Sequence, residues 1–226
     1  MTVKVIGSEV NSMFGSIAER YDLANSVLSL GIHKLWRRRL LSLVSEGTVA
    51  ALDLCTGTGD LLPILRKRCQ FVQGADFCLP MMRAGQKKRR TEDRFLQADA
   101  LSLPFANSSF DLITVAFGVR NLENIRQGLA EMHRVLKPGG KLIVLEFGQP
   151  SLPVFGALYR WYSAHLLPLI GGVLTGNKSA YTYLPETSKV FPCGQAFAQL
   201  LSDVGFSVKL AEAQTFGVAF LYEAQR

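Results

Sequence analysis

Leu52-Asp-Leu-Cys-Thr-Gly-Thr-Gly-Asp60 is an apolar run that carries Asp53, enters a tight Gly57/Gly59 turn and reads as a helix from Asp60. Glycine has no Cβ, so such a turn admits a ligand close to the backbone. The first N–H groups of a helix starting there would have no partner within it. A second apolar run, Phe71-Val-Gln-Gly-Ala-Asp76, closes on an acid. Its distance from the turn suits a carboxylate that accepts from ribose hydroxyls. The expectation is a ligand with a nucleoside part, held at strand ends.

The same rhythm extends outward. Residues 8–46 read as helices; Met13, Phe14, Ile17 and Tyr21 share one helical face, and a second helix is expected over His33–Val44. Strands are expected at Val49–Cys55, Phe71–Asp76, Arg94–Ala98, Phe110–Ala116 and Lys141–Phe147. Helices fall between them at Asp60–Cys69, Pro80–Arg89 and Ile125–Val135, and Pro138-Gly139-Gly140 reads as a turn before the fifth strand. Residues 150–190 break the alternation. A helix over 195–204 and two strands, Ser207–Ala211 and Val218–Tyr222, finish the chain. These βα units predict an α/β fold: a doubly wound, mostly parallel seven-stranded sheet with a terminal antiparallel hairpin.

Bulk properties narrow the field. A chain of 226 residues, 48% hydrophobic, suits one α/β domain, read as an 8–46 helical cap, a 48–147 core, a 150–190 insert and a 195–226 tail. The first residues are too short and mixed for a signal peptide. Four cysteines without a CxxC pair or a nearby histidine point away from zinc or disulfides and toward a cytoplasmic location. No metal is implied. The net charge of +7 includes Arg37-Arg38-Arg39 and Lys87-Lys88-Arg89-Arg90. Such runs are either solvated helix faces or an attraction to anionic lipid or nucleic acid.

Cys55-x-Gly57-x-Gly59 lacks the full spacing of a dinucleotide site, and alone it is a weak signal. Asp76, then Gln97-Ala-Asp99-Ala100, then Leu136-Lys-Pro-Gly-Gly140 follow it in order. Over about residues 48–147 this order resembles the class I S-adenosylmethionine (SAM) methyltransferases. The resemblance implies that Asp53 and the Gly57–Gly59 backbone face the methionine end of SAM. Asp76 would accept from the ribose hydroxyls, and Asp99 would meet the adenine amine while Ala100 leaves room for the ring. The alternative for Asp53 or Asp99 is that either caps a following helix.

Four longer stretches are more specific. Tyr21-Asp-Leu-Ala-Asn-Ser-Val-Leu-Ser-Leu-Gly-Ile-His33-Lys-Leu-Trp36, Phe117-Gly-Val-Arg120-Asn121, Arg134 through Glu146-Phe, and Tyr181-Thr-Tyr183 through Pro192 resemble the quinone C-methyltransferases, over residues 13–210. These methylate the ring of a prenylated quinol. The chain departs from the pattern at Ala24, Ala116, Gly148 and Phe216-Gly217. Carried over by position, the resemblance implies cofactor contacts at Thr58, Asp76, Asp99 and Ala100. Demethylmenaquinol is the expected acceptor; a 2-polyprenyl-6-methoxy-1,4-benzoquinol is the alternative.

Ring methylation at carbon needs a phenol proton removed and carbon, methyl and sulfur held in line. Arg120 is expected to stabilise the phenolate, with Asn121 and Tyr183 beside it, and Arg120→Ala to cut turnover far more than SAM affinity. His33 is a candidate base or a packed helix residue. Tyr21 either closes over the cofactor or lies in the core. Between Trp161 and Gly176 no charged residue occurs, yet Pro168 and Gly171-Gly172 interrupt the run, and a span needs roughly 20 apolar residues. The stretch is a buried helix or an apolar mouth for a prenyl tail, with peripheral docking at the inner face of the membrane. A nucleic-acid methyltransferase fits less well: Ala-Phe-Gly-Val-Arg-Asn stands where amino-methylating enzymes carry Asn/Asp-Pro-Pro-aromatic, and no aromatic-basic platform is evident. A non-catalytic binding module is disfavoured by intact carboxylates at three strand ends.

Overall fold

The computed structural model describes residues 6–89 and 94–226. Its strands are β1 (Thr48–Leu54), β2 (Cys69–Asp76), β3 (Phe95–Gln97), β4 (Phe110–Ala116), β5 (Leu136–Phe147), β6 (Ser207–Gln214) and β7 (Ala219–Gln225). They form one seven-stranded sheet in the order β3-β2-β1-β4-β5-β7-β6. β1 to β5 are parallel, and β7 pairs antiparallel with β5 and β6. The order turns back between β1 and β4. Ligands of open α/β sheets bind beyond the strand C-termini at such a point, which here brings Cys55 to face Phe117-Gly118.

The helices are α1 (Gly7–Ile17), α2 (Tyr21–Leu28), α3 (Ile32–Ser42), α4 (Leu62–Leu65), α5 (Leu79–Arg89), α6 (Ile125–Val135), α7 (Pro153–Trp161), α8 (Leu167–Thr175), α9 (Ser179–Val190) and α10 (Gln195–Asp203). Two cores sandwich the sheet. Leu129 and Met132 of α6 with Phe197 and Leu201 of α10 cover one face; Trp36 and Leu40 of α3 with Leu62 and Leu65 of α4 cover the other. Burial on both sides explains the apolar Leu112, Ile113 and Val115 of β4, which also carries Asp111 and Thr114. A third cluster lies off the sheet: Ile17, Ala24, Leu167, Ala180 and Tyr181 join α1 and α2 to α8 and α9. This roof stands over the strand C-termini.

Several expected boundaries move. The helix expected over Asp60–Cys69 shrinks to the single turn of α4, because β2 starts two residues early at Cys69. The turn's N–H groups are not free either: Gly57 N donates to Asp76 Oδ2, and Gly59 N to Thr56 O. The face expected to run from Met13 to Tyr21 is split between α1 and α2. Pro138-Gly139-Gly140 does not precede β5 but bulges within it, the register with β4 jumping between Phe110 and Leu112. The bulge stays in the sheet because Gly139 N donates to Arg226 O and Arg226 N to Gly140 O. The terminal hairpin runs to Gln225, longer than expected.

Trp161–Gly176 forms the end of α7, a π-helical turn (Tyr162–Leu166) and α8. Among the described residues no helix is long and apolar enough to cross a membrane. The basic runs are largely occupied by ion pairs: Arg37 with Asp60, Arg39 with Glu212, Lys87 with Glu19 and Lys88 with Asp22. Arg90, at the end of the second run, and Met1–Val5 lie outside the described residues.

Candidate active site

Two adjoining cavities fill the space between roof and sheet. The larger, about 330 Å³, is lined by Cys55 and Gly57 after β1, Asp76 to Cys78 after β2, Asp99 and Ala100 after β3, and Ala116 to Gly118 with Asn121 after β4. Gly57 has φ +58, a conformation that glycine adopts without strain. Its N–H donates to Asp76 Oδ2, while Asp76 Oδ1 accepts from Cys78 N, both at 2.7 Å. Burial raises the Asp76 pKa, opposed by these N–H groups. A carboxylate has four lone-pair sites, so Asp76 keeps acceptor capacity toward the cavity. Asp99 is exposed and accepts from Leu101 N at 2.9 Å. It closes a turn, with no helix following, and still faces the cavity.

Three expected contacts sit elsewhere. Both Asp53 oxygens are taken, by Thr56 Oγ1 at 2.6 Å and Thr114 Oγ1 at 2.7 Å. Burial pushes its carboxyl up to about 6. It braces the turn from below and does not line the cavity. Thr58 is buried and turns away, donating from Oγ1 to Asp22 Oδ1 at 2.7 Å. Gly59 is absent from the lining as well.

The wall that sequence reasoning missed is α1. Gly7, Val10, Asn11 and Phe14 close the cavity's outer side, and Gly7 N donates to Glu123 Oε1. Asn11 and Asn121 each keep a buried side-chain oxygen without a partner. Nothing in the amphipathic pattern of α1 announces this role, since its packing partners, α5, α9 and Glu123, are distant in the chain.

The smaller cavity, about 110 Å³, shares Phe14, Tyr21 and Phe117 with the first and lies under the roof. His33, Trp36, Arg120, Phe147, Tyr181 and Tyr183 are among its lining residues. Arg120 is buried and paired with Glu146, Nη1 to Oε1 at 2.6 Å. Its guanidinium carbon stands 5.0 Å from the Phe147 ring centroid, a cation–π contact. Arg120 Nη1 also donates to Phe117 O at 2.7 Å, and Asn121 Nδ2 to the same oxygen at 3.3 Å. Phe117 holds φ +61, a strained value for an aromatic residue, which turns its carbonyl toward both side chains. Arg120 Nε and the Tyr183 hydroxyl are buried without partners. Glu146, a lone acid ending the apolar run of β5, was the signal for this pair.

Tyr21 stands between the cavities, with burial raising its pKa. His33 is buried, 2.5 Å from Ser29 Oγ through Nδ1. Burial, then Arg37, hold its pKa down at about 4. The lowered value favours the neutral ring near pH 7 and the reading of His33 as a packed helix residue over that of a strong base.

The ubiE/COQ5 methyltransferase family model matches residues 2–226. The chain belongs to that family. The demethylmenaquinone methyltransferase of Thermus thermophilus is 46% identical over 95% of this chain and 100% of its own. The ubiquinone/menaquinone biosynthesis C-methyltransferase UbiE of Bdellovibrio bacteriovorus is 43% identical, over 95% of this chain and 94% of its own. Among solved structures, a SAM-dependent methyltransferase from Aquifex aeolicus matches with TM-score 0.60 and 20% identity over 86% of this chain and 88% of its own. The [4+2]-cyclase SpnF matches with TM-score 0.69 and 14% identity over 100% of this chain and 98% of its own. Those two likenesses speak to the fold alone, since a cyclase shares it. The chain is a methyltransferase, and SAM is its methyl donor.

Proposed function

We propose that the enzyme methylates a ring carbon of a prenylated quinol, demethylmenaquinol in preference to a methoxybenzoquinol. The observation that carries this is the smaller cavity. It sets the buried Arg120 guanidinium, paired with Glu146, and the unpartnered Tyr183 hydroxyl among aromatic and aliphatic side chains, with Asn25, Ser29, His33 and Arg37 as the other polar members of the wall, next to the larger cavity. A flat apolar ring bearing oxygens complements such a wall. The printed names of the Thermus and Bdellovibrio relatives support the acceptor class.

The larger cavity suits a cation rich in donors. Asp76, Asp99 and the free oxygens of Asn11 and Asn121 are acceptors for ribose hydroxyls, an adenine amine and an ammonium. When bound, SAM supplies an electrophilic methyl group, which passes to the ring carbon as its bond to sulfur breaks. The phenol gives its proton to solvent, Arg120 stabilises the phenolate that makes that carbon nucleophilic, Tyr183 donates to an acceptor oxygen, and the ring proton at the methylated carbon leaves to solvent as aromaticity returns. Glu146 holds Arg120 in place, and Phe117 sets the distance between the two substrates. His33 stays neutral and lines the wall.

Radiolabelled SAM with a short-chain demethylmenaquinol tests the proposal. Label in the extracted naphthoquinol, bonded at carbon, is the expected result. Label only in the benzoquinol would reverse the preference, and label in neither would overturn the acceptor class.

A further inference from the structure

Six of the large exposed apolar side chains lie on three helices above the smaller cavity. Leu23 and Val27 lie one turn apart on α2, Val154 and Leu158 on α7, and Leu169 and Val173 on α8; Val154 is 84% and Val173 78% exposed. An i, i+4 spacing puts each pair on one side of its helix. The three helices are contiguous. α2 packs against α8, Tyr162 Oη donates to Leu28 O, and Arg20 Nη1 to Leu174 O. α7 passes into α8 through the π-helical turn. The same helices contribute Asn25, Leu28, Tyr159, Tyr162 and Leu167 to the smaller cavity, so the patch surrounds that cavity's roof.

Apart from Asp22 of α2, which is paired with Lys88, the charge on this face is positive. From Phe147 to Pro185 there is no Asp or Glu, and the charged residues are Arg160 and Lys178. Both are exposed and form no ion pair among the described residues, unlike most of Arg37–Arg39 and Lys87–Lys88. Isolated apolar side chains are ordinary on a surface; a contiguous set with a cationic border marks an interaction face. A second copy of this chain would set like charges against each other. An anionic bilayer complements both the apolar centre and the cationic border.

We propose that α2, α7 and α8 form the face that seats on an anionic lipid surface, so that the prenyl tail stays in lipid while the ring rises into the smaller cavity. This rests on the prenylated acceptor proposed above. α7 and α8 lie flat, with their exposed side chains in the headgroup region, and none spans the bilayer.

Flotation with phosphatidylcholine vesicles and with vesicles containing phosphatidylglycerol tests the face. Wild-type protein is expected to float with the anionic vesicles. Arg160→Ala and Lys178→Ala should each lower partitioning by roughly fivefold. Leu158→Glu with Val173→Glu should abolish flotation, and with it methylation of a long-chain quinol in vesicles. Turnover of a short-chain quinol in solution should be kept, since neither residue lines a cavity; that activity also shows that the variant folds. Equal flotation of wild type on neutral and anionic vesicles, or flotation of the double variant like wild type, overturns the face. A wild-type dimer in sedimentation that the double variant dissolves would assign the patch to a second copy and also overturn it. Failure of the wild type on the short-chain quinol, with flotation intact, strikes the acceptor and leaves the face standing.

Discussion

Arg120 does two tasks that a truncation cannot separate. Its partner Glu146 is fully buried, and removing one member of such a pair leaves an uncompensated charge that costs about 3–5 kcal/mol. Arg120→Ala therefore lowers the melting temperature as well as turnover. Arg120→Lys keeps the charge but loses the planar guanidinium, whose Nη1 donates to both Phe117 O and Glu146 and whose carbon lies over the Phe147 ring. It is expected to cut kcat at least tenfold with S-adenosylhomocysteine affinity unchanged by calorimetry; unchanged kcat would remove the guanidinium from the chemistry. His33 gives a pH signature. Its folded pKa, about 4, lies below the ordinary 6.5, so between those values the unfolded chain binds more protons. Stability from His33 is full above pH 6.5 and falls toward pH 4. Asp53, raised to about 6, acts in the opposite sense, adding stability at low pH that is lost as pH rises through 6. The wild-type profile is thus partly cancelled in this window. His33→Asn, which keeps a hydrogen-bonding group at Ser29, should be more stable relative to wild type at pH 4.5 than at pH 7 in denaturant melts. A constant difference across that range would contradict the lowered pKa.

At the scale of elements, α2 is tied to the glycine turn through one residue. Asp22 accepts from Thr58 through Oδ1 and from Lys88 through Oδ2, at 2.7 and 2.8 Å. Thr58 thereby ties the glycine turn to α2. Asp22→Ala is expected to weaken S-adenosylhomocysteine binding about fivefold, on the order of one hydrogen bond, while kcat at saturating SAM holds. An unaltered dissociation constant would show that α2 does not brace the site. The strand–helix alternation and Asp76 were legible because they rest on local periodicity and on carboxylates at strand ends. The α4 boundary was not. Nothing between Asp60 and Cys69 marks where pairing with β1 overrides helix formation. Gly139 and Gly140 carry an ordinary turn signal, but the partner that keeps them in the sheet, Arg226, is the last residue of the chain. The wall made by α1 and the Arg120–Glu146 pair depend on contacts between distant segments, which spacing alone does not specify.

For the molecule as a whole, the two cavities lie side by side at the C-terminal ends of the strands, with Phe14, Tyr21 and Phe117 between them. The larger cavity is bounded by α1 and the loops after β1 to β4, the smaller one by α2, α3, α7 and α9. Phe14, Tyr21 and Phe117 are the lining residues they have in common. Filling one cavity therefore leaves most walls of the other untouched, and neither ligand needs to arrive first. In steady-state terms this is a random sequential mechanism. Double-reciprocal plots at several fixed SAM levels should intersect, and a dead-end quinol analogue should compete with the quinol but act as a mixed inhibitor toward SAM; uncompetitive inhibition toward SAM would mean that SAM has to bind first. Parallel lines would mean a methylated enzyme intermediate, for which the cavity walls offer the Cys55 and Cys78 thiols and the Tyr21 phenol, each with its ionisation opposed by burial. A divided chamber thus becomes a bisubstrate kinetic pattern, readable from initial rates alone.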